Sequence, residues 1–279
     1  MLFPQDRKRI VKAMAGHGQK AEPIYLVFHV LGGLVLLFVV APLLGLVLQS
    51  SVGELVETAG DREVQSSIWL TLWVSMAATL FVSIGAIPLA YILARRDFPF
   101  KGLVLAVIDI PIVIPHSAAG IALLGVLSRE SFAGGIADRI GLSFVDTRAG
   151  IMAAMAFVSM PYLINAAREG FAAVPQRLEN AAFNLGASGS RVFFTVSLPL
   201  ARRSILSGLV LMWGRGMSEF GAVMIIAYHP MVTPILLWER FGAFGLSNAR
   251  PVAILFIGVC LLVFLLLRLL ARRGEDARR

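Results

Sequence analysis

Long runs of apolar residues alternate with short polar segments along most of this 279-residue chain. Several of these runs reach the roughly 20 residues that an α-helix needs to cross the hydrocarbon core of a bilayer. The first run is too long for the apolar part of a signal peptide and lacks an A-x-A cleavage site. The pattern therefore predicts six membrane-spanning helices, over about residues 25–48, 68–93, 103–127, 150–167, 205–228 and 251–267.

The third predicted span carries several residues that interrupt an apolar helix. Asp109, Pro111, Pro115 and His116 all fall within it. A break of this kind is tolerated in a membrane only where the freed backbone groups face protein or a water-filled path. The third span is therefore predicted to be broken, with its freed backbone groups facing protein or a water-filled path.

Composition agrees with the pattern of apolar runs. Hydrophobic residues make up 58% of the chain, charged residues 15%, and the mean hydropathy is +0.81. These values are too apolar for a soluble domain and are typical of an integral membrane protein. The fold class predicted from sequence is therefore all-α and membrane-embedded, with lipid as a partner.

Basic residues are unevenly distributed among the segments between the predicted spans. Five lysines and arginines lie in residues 1–22, three in 95–102, five in 168–203 and five in 268–279, whereas the three intervening segments hold one, three and two. Basic residues concentrate on the cytoplasmic side of membrane proteins. Both termini and residues 168–203 are therefore predicted to face the cytoplasm. Because the formal charge of +8 is spread over short loops without interleaved aromatic residues, nucleic-acid binding is not predicted.

Motifs for chemistry within the chain are missing from the sequence. It contains no G-x-x-x-x-G-K-[ST] nucleotide loop, no H-E-x-x-H metal motif and no nucleophile elbow. Cys260 is the only cysteine, and the four histidines are too dispersed for ligand spacing. We therefore predict no metal, no cofactor and no enzymatic activity, so that any nucleotide-derived energy would have to come from a separate subunit.

A polar, small-residue segment follows the fourth predicted span. Its apolar residues recur at the i, i+3, i+4, i+7 spacing of one helix face, at Leu178, Ala181, Ala182 and Leu185. Gly186 then supplies the backbone of a helix end, and Ser188 or Ser190 can cap a second short helix. Pro199 is predicted to turn the chain again. The segment therefore predicts two short helices on the cytoplasmic side.

This segment resembles the EAA loop of permease subunits in binding-protein-dependent ABC importers. The matching positions are Asn180, Ala181, Ala182, Gly186, Val196, Leu198 and Pro199, with Asn180 at the family's glutamate position and Glu179 one residue before it. In that family the loop inserts into a cleft of the ATPase subunit. The resemblance implies that these eight residues form the ATPase-coupling loop within 168–203. The alternative is an ordinary helix-turn-helix loop between two spans.

Further motifs occur in the order found in molybdate or tungstate permeases. They include residues 85–91 (GAIPLAY), 111–124 (PIVIPHSAAGIALL), 158–161 (VSMP), 168–171 (REGF), 218–222 (SEFGA) and 226–234 (IAYHPMVTP). The resemblance implies the type I importer permease fold as one domain over 1–279. It also implies a homodimer in the cell membrane, with two ATPase subunits and an extracytoplasmic oxyanion-binding protein.

Three residues are candidates for the translocation pathway. Arg215 and Glu219 are four residues apart, and Arg215 is the only lysine or arginine within the six predicted spans. Ionisable groups at membrane depth usually face a cavity or each other. The pair either offers a weak positive field to an oxyanion or only stabilises helix packing. His116 is either a third pathway group or a hydrogen-bonded core histidine.

The function predicted from sequence is the permease subunit of an ATP-driven oxyanion importer, with molybdate or tungstate as cargo. Sulfate or another small anion is the alternative within the same superfamily. An ion-coupled secondary transporter is the alternative outside it, but such carriers usually show an inverted repeat or a coupling-ion site. Neither feature is evident in the sequence.

Overall fold

The computed structural model describes residues 23–276, with side chains from 24 to 266, and this part of the chain is helical with short connections. It contains no strand within those limits. Two compact units are present, Met1–Glu54 and Leu55–Arg279. The predicted cytoplasmic segment 1–22 and the end of the predicted tail lie outside the described residues, and a single domain over the whole chain stays a prediction.

The helical elements of the described residues are numbered here in chain order. They are α1 (Pro23–Leu48), α2 (Val52–Gly60), α3 (Arg62–Arg95), α4 (Lys101–Val113), α5 (His116–Leu127), α6 (Phe132–Arg139), α7 (Arg148–Ala172), α8 (Gln176–Asn184), α9 (Gly189–Val192), α10 (Leu198–Met217), α11 (Gly221–Ile226), α12 (Thr233–Phe244) and α13 (Leu246–Asp276). A π-helical turn, Phe193–Ser197, joins α9 to α10.

Between residues 23 and 276, five helical runs are long and apolar enough to cross a membrane. They are α1, α3, α7, the run Gly189–Met217 and α13. The pair α4 and α5 is a sixth candidate, but its two helices are bent by 113° at the break between them. The chain is thus an all-α membrane protein, and its described residues hold five or six spans, as the apolar runs predict.

The interruption predicted in the third span is confirmed, and it falls at Ile114 and Pro115. Ile114 is extended, because the residue before a proline is disfavoured in the α conformation. Asp109 and Pro111 stay inside α4 and do not break it. The bend between α4 and α5 allows α5 to pack against α11, and Gly120 permits the close approach of the two helices.

The predicted bounds of the fifth span, 205–228, are wrong. The helical run begins at Gly189 and ends at Met217, and residues 218–220 separate it from the short helix α11. The predicted turn at Pro199 is also wrong, because the proline lies in the first turn of α10. The π turn before it shifts the backbone hydrogen bonds, with the Leu198 N–H donating to the Phe193 oxygen. The helix therefore passes Pro199 without a break.

The core of the second unit is built on α3, α7 and α10. Leu70 of α3 and Ile151 of α7 belong to one buried cluster, and Leu93 and Phe171, at the other ends of these helices, belong to a second. The two helices are therefore parallel. Glycines bring α10 close to α7, because a Cβ on Gly208 would lie 2.9 Å from the Ala166 Cβ, and one on Gly170 only 2.5 Å from the Ser204 Cβ. Small residues at helix crossings are the usual basis of close packing in membranes.

A row of buried hydroxyl groups follows one face of α3. It consists of Ser67, Thr71, Ser75 and Thr79, each no more than 2% exposed. Most of their hydrogen bonds go to carbonyls of α3 itself, three or four residues earlier. Thr71 also forms a hydrogen bond outside α3, because its Oγ1 accepts the Thr233 N–H at 2.8 Å. This bond ties α12 to α3.

An ion pair also connects α12 to the start of α3. Asp61 caps α3 by accepting the Glu63 N–H at 2.8 Å. The Arg240 guanidinium bonds the Asp61 carboxylate and lies 2.9 Å from Glu63 Oε2. The hydrogen bond from Arg240 holds the pKa of Asp61 below its ordinary value of 3.8. The first turn of α3 is therefore fixed by a carboxylate that stays ionised.

We expect Gly120→Ala to weaken the contact between α5 and α11. A Cβ at this position would lie 2.8 Å from the Ile225 Cβ and 2.9 Å from the Ala222 carbonyl oxygen. Overpacking of this kind costs about 1–3 kcal/mol, and thermal unfolding in detergent measures it. Gly125→Ala in the same helix is the matched control, because that Cβ meets nothing within 4 Å. Equal unfolding temperatures for the two variants would contradict the close contact.

We expect Asp61→Asn to lower the stability at neutral pH while the helix cap is retained, since asparagine caps helices as well as aspartate does. A carboxyl whose pKa is lowered by folding stabilises the protein above its unfolded pKa, and this contribution is lost as the pH falls through the folded value. The unfolding temperatures of wild type and variant should therefore converge below about pH 4. Glu57→Gln, at an exposed carboxylate, is the control. A difference that stays constant down to about pH 2 would contradict the ion pair.

Candidate functional site

The segment after α7 folds as two short helices that meet at a glycine. α8 ends at Asn184, and Gly186 takes the left-handed conformation with a φ of 82°. The Gly186 N–H donates to the Phe183 oxygen at 2.9 Å, and the Ala187 N–H to the Ala182 oxygen at 3.1 Å. These two bonds form the Schellman arrangement that closes a helix C-terminus. The helix end predicted at Gly186 is confirmed.

Ser188 begins the second short helix. Its Oγ accepts the Arg191 N–H at 3.4 Å, so Ser188 and not Ser190 is the cap. Val192 is fully buried below this turn. The second short helix thus has an apolar foundation, and the loop between the two helices is exposed.

The eight residues predicted for the coupling loop have different surroundings. Asn180, Ala181, Gly186 and Pro199 are exposed, Ala182, Val196 and Leu198 are half-buried, and Glu179 is buried. The predicted apolar face of α8 is largely uncovered, since Leu178 is 41% and Leu185 is 89% exposed. Phe183 adds to it with 45% exposed. This end of the molecule therefore presents an apolar surface.

Glu179 accepts hydrogen bonds from two other parts of the chain. The Arg95 Nη2 donates to its Oε1 at 2.8 Å, and the Arg95 Nε lies 3.0 Å from both carboxylate oxygens. The Ser197 hydroxyl donates to Oε1 at 2.6 Å. We call these three residues the inner clasp. Sequence reasoning missed its arginine and serine, although Arg95 lies two residues after a predicted span and Glu179 is the only carboxylate within residues 176–200.

A second charged cluster lies where α5, α10 and α11 meet. The Arg215 Nη2 is 2.9 Å from Glu219 Oε2 and 2.8 Å from each ring nitrogen of His116. The His116 Nδ1 is 3.1 Å from the same carboxylate oxygen. The other oxygen, Oε1, accepts the Ala222 N–H at 2.9 Å at the start of α11. All three residues predicted for the pathway are therefore in contact, and we call them the Arg215 cluster.

Exposure differs strongly within the Arg215 cluster. The side chain of Glu219 is completely buried, that of Arg215 is 18% exposed and that of His116 is 36% exposed. The Glu219 carboxylate is thus the most buried group of the cluster. The side chains of Arg215 and His116 form its solvent-exposed side. An anion that approaches from that side meets a guanidinium whose charge is partly balanced by Glu219. The positive field on the exposed side is therefore weaker than that of an unpaired guanidinium.

The position of His116 depends on the close packing of α5. The histidine is the first residue of that helix, directly after Pro115. A Cβ on Gly221 would lie 2.9 Å from the His116 Cβ, so this glycine permits the approach. The predicted alternatives for His116, a core histidine and a pathway group, are both compatible with its half-exposed position.

Two further groups that the sequence singles out lie outside both clusters. The Asp109 Oδ1 accepts the Asn165 side-chain amide at 2.7 Å, which joins α4 to α7. Cys260 is half-buried in α13. Among residues 24–266, no group of three or more His, Cys, Asp or Glu side chains is arranged to hold a metal ion.

Residues 86–275 match the family described as "Binding-protein-dependent transport system inner membrane component". This range contains the inner clasp, both short helices of the loop and the Arg215 cluster. The match covers more than half of the chain and begins within α3.

Two relatives are similar to nearly all of the chain. The "Molybdate/tungstate transport system permease protein WtpB" of Pyrococcus abyssi is 40% identical over 261 residues, 93% of this chain and 100% of the relative. The protein of the same description from Thermococcus kodakarensis is 41% identical over 248 residues, 88% of this chain and 95% of the relative.

A solved structure shares the fold. It is described as a bacterial ABC transporter involved in the import of the acidic polysaccharide alginate, and the comparison has a TM-score of 0.70 at 17% identity. It covers 95% of this chain and 99% of the other. At this identity the similarity concerns the arrangement of helices and not the cargo.

Proposed function

We propose, since the chain belongs to the family of inner membrane components of binding-protein-dependent transport systems, that it is the permease subunit of an ATP-driven importer for molybdate or tungstate. The observation that carries the proposal is the 40% identity to the Pyrococcus abyssi permease over 93% of this chain. In this function the chain moves cargo and breaks no bond of the substrate.

The charge distribution supports an orientation with both termini in the cytoplasm. The segments 168–203 and 268–279 are rich in arginine, which favours the cytoplasmic side. In this orientation the inner clasp and the exposed apolar surface of α8 face the cytoplasm. The pair of Arg240 and Asp61 then lies on the outer side.

The exposed apolar surface supports docking of a separate ATPase subunit. Leu178, Phe183 and Leu185 are too exposed to serve the core of this chain, and contiguous exposed apolar residues mark interaction sites. We propose that each permease copy binds one ATPase subunit here. The complete importer is then a permease homodimer with two ATPase subunits and an extracytoplasmic oxyanion-binding protein.

The Arg215 cluster supports an oxyanion as cargo. A tetrahedral dianion pays a large desolvation cost inside a membrane, and a partly balanced guanidinium lowers that cost without holding the anion tightly. We propose that Arg215 and His116 line the pathway and that Glu219 weakens the binding of the anion. Selection among molybdate, tungstate and sulfate then lies mainly in the binding protein.

Uptake in proteoliposomes tests the function. The permease, its ATPase and the loaded binding protein should give uptake of molybdate or tungstate that requires ATP. An ionophore that collapses ion gradients at constant ATP should leave this uptake intact, whereas loss of uptake would support an ion-coupled carrier. Calorimetric titration of the binding protein with molybdate, tungstate and sulfate then identifies the cargo.

Gly186→Leu should uncouple the ATPase while the permease still inserts. A left-handed backbone costs an L residue roughly 1–2 kcal/mol, so the joint between α8 and α9 changes its angle. The measurement is ATP hydrolysis stimulated by the loaded binding protein. Gly186→Asn is the matched control, since asparagine tolerates this conformation better than leucine does. Full stimulation in the leucine variant would contradict the assignment of the loop.

Arg215→Met and Glu219→Gln should each lower the protein yield, because a buried pair that loses one member leaves an uncompensated charge. The double variant should recover much of the yield but transport oxyanion poorly, since the cation of the pathway is gone. Uptake is compared at matched permease density, with the binding protein saturating. Wild-type uptake by the double variant would limit the pair to a structural role.

A further inference from the structure

The helix α8 is attached to the rest of the described chain in an unusual way. Only one of its nine residues is buried, and that residue is Glu179. Its apolar residues Leu178 and Phe183 are exposed and give it little hydrophobic anchoring. A carboxylate therefore replaces the apolar stripe that normally holds a surface helix on its protein.

The Glu179 carboxylate connects four helical segments at one point. It lies on α8, Arg95 ends α3, and Ser197 belongs to the π turn that leads into α10. The Arg95 Nη2 also donates to the Val174 oxygen at 3.0 Å, just after α7. The inner clasp thus joins the ends of the three core helices to α8.

The position of Glu179 also bears on how a partner is contacted. Its side chain is only 6% exposed, and both oxygens are already used by Arg95. No other acidic residue occurs between 176 and 200. The neighbouring exposed position carries the neutral Asn180. The exposed side of α8 is therefore uncharged apart from Arg177 at its start, and it carries neutral polar residues beside Leu178 and Phe183.

We propose that Glu179 is a positioning residue, fixed by Arg95 and Ser197, about which α8 pivots when a bound ATPase moves, and that it does not itself contact the ATPase. This inference rests on the proposed function for the identity of the partner. The pivot links the ATPase to α3 and α10 through charge and hydrogen bonds. Docking itself is left to the exposed apolar residues of α8.

Unfolding of the purified permease tests the clasp without any partner. Arg95→Met and Glu179→Gln should each lower the unfolding temperature in detergent, and the double variant should lose less than the sum of the two, because the residues act as one unit. Arg96→Met is the matched control, since this neighbouring arginine is exposed. Strict additivity of the two losses would overturn the clasp.

Coupling measurements separate a positioning role from a direct contact. Glu179→Gln and Arg95→Met should both retain the ATPase in co-purification, while the amount of anion moved per ATP hydrolysed falls by about two- to thirtyfold. Arg95→Lys keeps the charge but loses the paired geometry, so its ratio should lie between wild type and Arg95→Met. Glu169→Gln, at an exposed carboxylate near the end of α7, should leave the ratio unchanged.

Two results would overturn the pivot. The first is loss of ATPase co-purification in Glu179→Gln alone, which would make Glu179 a direct contact. The second is a transport-to-hydrolysis ratio that matches wild type in both clasp variants. If the wild-type proteins give no ATP-dependent uptake, the proposed function fails instead, and the unfolding measurements still decide whether the clasp exists.

Discussion

The close approach of α7 and α10 is the contact on which the other helices of the second unit depend. At Gly170 and Gly208 the two backbones meet with no room for a side chain between them. Apolar side chains gain little by leaving lipid for protein, so the association of helices in a membrane relies on such packing and on interhelical hydrogen bonds. Because α3 also packs along α7, the ends of the three helices converge at Arg95 and Glu179.

The two charged clusters answer the same physical constraint in different ways. A buried carboxylate is tolerated only when several donors satisfy it, and Glu179 and Glu219 each accept from more than one group. The clasp around Glu179 is closed, with Arg95 only 9% exposed. The cluster around Glu219 is open on the side of His116. A closed pair suits the transmission of force between helices, whereas an open one suits contact with a passing anion.

Sequence patterns predict those features that depend on near neighbours in the chain. The apolar runs predict the spans, and Gly186 predicts a helix end, because both are determined by local backbone and side-chain preferences. Pro199 does not turn the chain as its residue type predicts, because the π turn that ends two residues before it changes the hydrogen-bond register. The clasp depends on residues 84 positions apart in the chain, Arg95 and Glu179, so no local pattern indicates it. The same holds for the contact of His116 with the end of α10.

The hydroxyl row of α3 has a consequence for movement within the membrane. Ser67, Ser75 and Thr79 bond carbonyls of their own helix, so their polar groups stay satisfied whichever neighbour lies opposite. A helix with a self-contained polar stripe can slide or rotate against adjacent helices without exposing an unpaired group to lipid. Along this row, the contacts that such movement would break are those of Thr233 with Ser67 and Thr71. The inner face of α3 is therefore held at one point along its length, while the ion pairs of Asp61 and Arg95 hold the two ends of the helix.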